Sequence, residues 1–300
     1  MRHLKDFQFI EAVIRAGSIR KAAEDMNITA SALNRRINRF EEDFGYEIFE
    51  RLPRGVRLNP AGELMLHHIR AQRSDFVRLQ SQVADLSGIR RGHVSIACSQ
   101  ALLPYFLPEQ IAQYRSEHPG VSFGVNVRDR LEAERELSTF ASDIALVFEP
   151  RHLVDFEVTL SITQPIYVVM RPDNPLAAQP ELRLRDCLAH PHVAPSAHYG
   201  VRVLLDSAAK KTTYGRLRPL VESESFDFMR HYVIHENAIS FQFPIGLDLS
   251  GSQGYVARPL SSRDVEPGNL LLGQLRGRTL PVASARFVQQ LNQALQLHGG

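Results

Sequence analysis

The segment Ala16–Gly62, AGSIRKAAEDMNITASALNRRINRFEEDFGYEIFERLPRGVRLNPAG, leaves little freedom in how the first part of this 300-residue chain can fold. Gly17 breaks the chain, Ser18 can cap, and Ile19–Asp25 carries one helix of small apolar residues. Met26-Asn27-Ile28 turns the chain, Thr29 caps again, and a second helix runs to about Asp43. Leu33, Ile37 and Phe40, at spacings of four and three, mark its buried stripe. Two short helices across a tight polar turn form a helix-turn-helix, which holds its second helix out from the body for a DNA major groove.

The charges agree with that geometry. Between Asp25 and Glu41 the only charged residues are Arg35, Arg36 and Arg39. The N-terminal, outward end of the second helix offers Thr29, Ala30, Ser31, Asn34 and Arg35 to base edges, which hydroxyl, amide and guanidinium groups can read. Ser18 and Arg20 flank it from the first helix. Arg36, Arg39 and the hairpin arginines Arg51, Arg54 and Arg57 suit phosphates, which give affinity without sequence information. Pro53 and Gly55 make the hairpin turn. The same arginines could also be plain solvated surface; capped turn, basic helix and basic hairpin in this order favour nucleic acid.

Leu4, Phe7, Gly17-Ser18, Ala22-Ala23, Leu33, Ile37, Phe40-Glu41, Phe44-Gly45, Ile48-Phe49-Glu50-Arg51 and Pro60-Ala61-Gly62 form a pattern over residues 4–62. That pattern resembles the N-terminal domain of LysR-type transcriptional regulators. Three positions depart: Ala30 stands where the family most often has Gln, Asn34 where it often has Ser, and Asn59 where it usually has Thr. The first two sit where bases would be read, so they bear on base preference and not on fold.

Pro60 opens a long helical pattern, about 60–88. Met65, Ile69, Phe76, Leu79, Val83 and Leu86 form a heptad-like seam interrupted at Gln72. Such a seam either packs on its own domain or pairs two subunits; its place before the linker Ser87–Gly92 favours pairing, and the resemblance implies the same. Pairing would set two recognition helices on two half-sites of an approximately palindromic double-stranded operator. Homodimers through this helix, assembled into homotetramers, are the expected state, with RNA polymerase as a further partner open to such a regulator.

From His93 onward strands and helices alternate, which implies mostly parallel sheets covered by helices. The expected strands are His93–Ala97, Val121–Val127, Ile144–Phe148, Pro165–Arg171, Val193-Ala194, Arg218–Glu222, Ile239–Gln242, Tyr255–Leu260 and Leu270–Leu275. The expected helices are Leu102–Glu117, Asp129–Ser138, Arg185–Leu188, Val201–Lys211, Ser225–His235 and Val282–Leu297. Phe106-Leu107-Pro108, His118-Pro119, Asp143–Leu146, Arg171–Leu176 and Leu280-Pro281 resemble, more loosely, the same family's effector domain, whose two-subdomain architecture is that of periplasmic solute-binding proteins. The expected class is therefore α/β: a winged helix-turn-helix (1–59), a linker helix and hinge (60–92), and an effector domain (93–300). Within the last, subdomain I covers about 93–164 and 266–300 and subdomain II about 165–265.

Ligands of open α/β sheets collect beyond the C-terminal ends of strands, where helix N-termini point their amides. That rule picks Ser99-Gln100, Phe148-Glu149, Ser196, Tyr199, Val201 and Arg202 within Pro195–Arg202, and Phe241. Ser99 can present a hydroxyl to a ligand or cap the following helix, and Arg202 can bind an anion or pair with Asp206 four residues on. Arg202 and two helix N-termini point to a small organic anion as effector.

Other chemistry finds little support. No Gly-rich phosphate loop, GxSxG or HExxH is present, so no enzyme and no cofactor is expected. His190, His192 and His198, or His231 and His235, lack the carboxylates or thiols that would complete a metal site. Cys98 and Cys187 are too few and too far apart for a disulfide framework and fit a reducing cytoplasm. No run of about 18 apolar residues suggests a membrane span, and the N-terminus lacks a signal peptide's apolar centre. Residues 1–92 hold 16 Lys and Arg against 12 Asp and Glu, whereas the rest of the chain holds 19 against 21. The positive excess thus lies beside the helix-turn-helix. Two rival readings are a solute-binding or catalytic α/β protein with an incidental N-terminal domain, and an architectural DNA-binding protein that senses nothing. Salt-dependent duplex binding would exclude the first, and a metabolite-dependent footprint the second.

Overall fold

A computed structural model describes residues 2–86, 91–148, 155–213 and 215–297. Ser87–Arg90 of the expected hinge and Glu149 lie outside the described residues, as do the side chains of Leu4 and Leu86. Two compact units result, Met1–Val77 and Arg78–Gly300.

The first unit contains α1 (Arg2–Ala16), α2 (Ile19–Asp25), α3 (Ala30–Phe44), β1 (Phe49–Leu52), β2 (Gly55–Leu58) and the first part of α4 (Pro60–Leu86). Its caps are those expected. The Ser18 hydroxyl accepts from the Lys21 amide at 3.5 Å and the Thr29 hydroxyl from the Ala32 amide at 3.2 Å. Gly45 ends α3 in the left-handed conformation, φ 85°, which costs glycine little. Asn59 caps α4: its carboxamide oxygen accepts from the Gly62 amide at 2.8 Å, and its nitrogen donates to the Glu47 carbonyl. Such a cap contributes about 1 kcal/mol.

The core of this unit joins Ile10, Val13, Ala22, Ala23, Leu33, Ile37, Ile48, Met65 and Ile69. Burying each of the larger aliphatic chains contributes roughly 1.5–3 kcal/mol. The presence of Met65 and Ile69 corrects the expected seam. These two pack on their own unit, and of the expected seam the exposed positions are Phe76, Leu79 and Val83.

The second unit contains β3 (Arg91–Cys98), α5 (Phe106–Glu117), β4 (Gly120–Val127), α6 (Arg130–Ser138), β5 (Ile144–Phe148), β6 (Phe156–Gln164), β7 (Tyr167–Met170), α7 (Leu184–Leu188), β8 (His192–Pro195), α8 (Gly200–Ala209), β9 (Val221–Ser223), α9 (Phe226–His235), β10 (Ile239–Gln242), β11 (Val256–Pro259), β12 (Gly268–Leu275) and α10 (Val282–Leu297). One sheet has the order β4-β3-β5-β12-β6, the other β11-β7-β10-β8-β9.

The sheets are mixed, not mostly parallel. In each, two pairs are parallel (β3 with β4 and β5; β8 with β9 and β10) and two are antiparallel. The cause is the crossing chain. β6 leads directly into β7 and β11 leads back towards β12, so each sheet receives strands that arrive from the other sheet and run against its βαβ strands. β6 was not anticipated as a strand.

Several expected boundaries move by one or two residues, and two larger shifts fall at prolines. A helix from Leu102 would place Pro108, which has no N–H, in its interior. The chain instead makes a 3-10 turn at Gln100–Leu102, and α5 starts at Phe106, so that Pro108 falls in its first turn. Pro219 likewise cannot donate to a ladder, and the strand expected over Arg218–Glu222 pairs with β8 only from Val221.

Candidate nucleic-acid interface and ligand cleft

The DNA-facing residues named from the sequence gather on α3, its cap and the β1–β2 hairpin. Thr29, Ala30, Ser31 and Arg35 are exposed, and Ser18 and Asn34 are half-buried. Arg35, Arg39 and Arg54 have no carboxylate partner among the described residues, so their charge is available. Arg36 lies over the Phe9 ring, 4.8 Å from its centroid, which fixes its stem on the domain. Two arginines are already paired: Arg20 with Glu24 at 3.2 Å and Arg57 with Glu50 at 2.8 Å. The Arg57 guanidinium, by hydrogen bond and charge, holds the Glu50 carboxyl below its usual range.

Backbone contacts position the hairpin. The Glu41 carboxylate accepts from the Ile48 and Phe49 amides at 2.7 and 3.2 Å, tying the start of β1 to α3. The Val56 amide donates to the Gly17 carbonyl at 3.0 Å, and a Cβ at Gly55 would overlap that same oxygen. Arg51 then reaches back to α3, donating to the side-chain oxygens of Asn34 and Asn38 at 3.3 and 2.8 Å. Asn38 was missed by sequence reasoning, although it lies one turn from Asn34 on the same helix.

The second unit brings Ser99, Gln100, Phe148 and Tyr199 together and leaves Val201, Arg202 and Phe241 elsewhere. Ser99 caps the 3-10 turn, accepting from the Ala101 amide at 3.4 Å. A cavity of about 20 Å³, room for roughly one water molecule, lies among Ser99, Phe148, Tyr199, Gly200, Arg128 and Arg130. Ser196 is half-buried, and its amide donates to the Ser223 carbonyl. Val201 and Phe241 lie within the core.

Arg202 faces a different hollow, of about 530 Å³, with Lys210, Arg216 and Arg218. Its guanidinium donates to Asp206 at 2.9 Å, to Glu222 at 3.1 Å and to the Pro195 carbonyl at 3.0 Å. Pairing with Asp206, the alternative raised by their spacing, is thus present.

Gln100 closes the cleft. Its nitrogen donates to the Tyr199 hydroxyl at 3.1 Å and to the Glu224 carbonyl, and its oxygen accepts from the Phe226 amide at 2.6 Å. Phe148 stacks on Phe243 with ring centroids 3.9 Å apart and planes 7° from parallel. Gly246 sits so near the Ala101 carbonyl that a Cβ there would lie 2.6 Å from its oxygen. Burial pushes the Tyr199 phenol up, against the opposing pull of its bond from Gln100. Outside this closure an open hollow of about 600 Å³ is walled by Gln100, Asp129, Glu132, His198, Tyr199 and Glu224. Among the described residues no group of three or more His, Cys, Asp or Glu could hold a metal ion. No described helix is long and apolar enough to cross a membrane.

A capped helix-turn-helix with an arginine hairpin, in one chain with a two-sheet unit that carries a cleft, defines a DNA-binding, ligand-responsive regulator. The family model described as bacterial regulatory helix-turn-helix protein, lysR family, matches residues 4–63, and the LysR substrate binding domain matches residues 87–296. The chain belongs to the LysR family of transcriptional regulators, whose members bind DNA and small-molecule effectors and form oligomers. Its relatives include the HTH-type transcriptional activator CmpR of Synechocystis sp., 24% identical over 88% of this chain and 84% of that protein. Another is the HTH-type transcriptional regulator CbbR of Sinorhizobium medicae, 27% identical over 79% and 76%. Among solved structures, a full-length OxyR from Pseudomonas aeruginosa matches with TM-score 0.68 at 18% identity, over 98% of this chain and 94% of that one. Full-length CbnR complexed with its target DNA matches with TM-score 0.66 at 16% identity, over 97% and 99%. At these identities the structural likeness concerns the fold.

Proposed function

We propose that the chain acts in the cytoplasm as a dimer or tetramer that reads an approximately palindromic operator with α3 and answers to a small organic anion in the cleft. The observation that carries the DNA half is the exposed, carboxylate-free set Arg35, Arg39 and Arg54 around a capped α3. Thr29, Ala30, Ser31, Asn34 and Arg35 read base edges; Ser18, Arg20, Arg36, Arg39, Arg51, Arg54 and Arg57 meet the backbone. Arg20 and Arg57 must first give up exposed pairs, which hold them by little. The solved DNA complex of CbnR supports the same use of the fold. Pairing of subunits through the exposed part of α4 places the two recognition helices on two half-sites.

Arg202 no longer supports the anion, because its guanidinium is engaged by two carboxylates and a carbonyl. Support comes instead from the N-terminus of α8 beside the inner cavity, with Arg128, itself paired with Glu136, and Arg130 on its wall. The effector enters by displacing Gln100 from Tyr199, Glu224 and Phe226. No role for the cleft in catalysis, and no cofactor, is proposed; contact with RNA polymerase is a further role open to the assembled regulator.

Selection of bound duplexes from a random pool with the full-length protein tests the DNA reading. A motif of two related, inverted half-sites is expected; recovery of no motif would overturn it. Calorimetry with carboxylates and neutral compounds tests the effector, and binding confined to cations or sugars would remove the anion.

A further inference from the structure

The Asn34–Arg51–Asn38 contact assigns a role to Arg51 that a phosphate anchor does not need. Arginine has donors only, so both carboxamides must turn their oxygens towards it. One nitrogen, Nη2, reaches both oxygens, at 3.3 and 2.8 Å, and has one hydrogen for each. Its partners sit four residues apart on α3, and Arg51 comes from β1, whose start Glu41 ties to that same helix. The planar carboxamide of Asn34 therefore has its oxygen towards the hairpin and its nitrogen turned away from Arg51. A free asparagine can offer donor and acceptor together to adenine. Here the donor end is the one left for a base.

We infer that Arg51 is a positioning residue for base recognition: it orients Asn34 as a hydrogen-bond donor and so sets the base preference of α3. This rests on the reading of α3 as the recognition helix. It also gives a physical consequence to Asn34, which departs from the family's frequent Ser: a serine hydroxyl has no second end to orient.

The test uses the full-length protein and its selected operator, with all four base pairs placed in turn at every motif position and affinities measured at several salt concentrations. Asn34→Ala identifies the position that Asn34 reads. Arg51→Ala should flatten preference at that same position, by roughly five- to tenfold for one lost hydrogen bond to a base, and the double variant should flatten it no further. Arg51→Lys, which keeps the charge but not the planar fork, should restore the salt slope and not the preference. It also carries the test if Arg51→Ala fails to fold. If Arg51→Ala weakens every sequence by one factor and leaves the preference at that position intact, or changes nothing, the inference is wrong. If the wild-type protein selects no motif, the recognition-helix reading itself fails, which is a separate result.

Discussion

At the scale of single residues, the arginines of the first unit divide by what already holds them. Arg35 stands on the outward face of α3, and Arg54 at the hairpin turn; neither has a carboxylate partner among the described residues. Arg35→Ala should cost about 1–3 kcal/mol of discrimination at one base pair, whereas Arg54→Ala should weaken all sequences alike and lower the salt slope by about 1. Competition binding on scrambled operators separates the two, and identical behaviour would refute the division. The thiols titrate far from neutrality. Burial pushes Cys98 and Cys187 up to about 12 from an ordinary 9.0, and Tyr255 to about 12 from 10.0. The folded state therefore binds these protons more tightly than the unfolded chain does. Their contribution is fully present below about pH 9 and is lost as pH rises towards 12. Melting should move to lower temperature between pH 8 and pH 11, and a thiol reagent at pH 8 should modify neither cysteine until the protein unfolds. Rapid labelling of the native protein would contradict the burial.

Among the elements, α4 closes the core of the first unit and, on the proposed reading, pairs subunits with the same sequence pattern. Met65 and Ile69 close the core of the first unit, and exposed Phe76 and Leu79 continue the stripe beyond it. Leu79→Glu should release monomers in sedimentation velocity while helix content is unchanged; an unaltered oligomer would remove this surface from the interface. The helix-turn-helix was legible in the sequence because everything that specifies it is local: caps at Ser18 and Thr29, apolar spacing at Leu33 and Ile37, glycine at 45. The core and interface uses of α4 were not separable, since both ask for the same heptad spacing. β6 had a signal in the alternation of Phe156, Val158, Leu160 and Ile162, which went unread, and its partner β12 is more than a hundred residues away. The cleft was partly legible. The strand-end rule found Ser99, Gln100, Phe148 and Tyr199, but the groups that close on Gln100 are the backbone carbonyl of Glu224 and the amide of Phe226. No side-chain identity encodes those. Arg128 and Arg130 went unnoticed because an arginine on either side of a capping aspartate reads as surface.

For the molecule as a whole, function depends on coupling ligand in the cleft to geometry on DNA, and the coupling can only be as large as the effector's preference for one state over the other. The closed cleft is held by three hydrogen bonds of Gln100 and by the Phe148–Phe243 stack. The inner cavity has room for roughly one water molecule, so on the proposed reading an effector that enters it displaces part of this closure. Gln100→Ala should free the Phe226 amide, with exchange roughly tenfold faster for one lost hydrogen bond. Unchanged protection would show that the closure is not held there.

The most direct measurement is methylation interference on the selected operator with the full-length protein. Methyl groups on guanine N7 project into the major groove and those on adenine N3 into the minor groove. With α3 in the major groove of each of two half-sites, guanine N7 methylation should block binding in two clusters, separated by one helical turn or a multiple of it. Binding that tolerates every guanine methyl group, or is blocked only from the minor groove, would contradict the account.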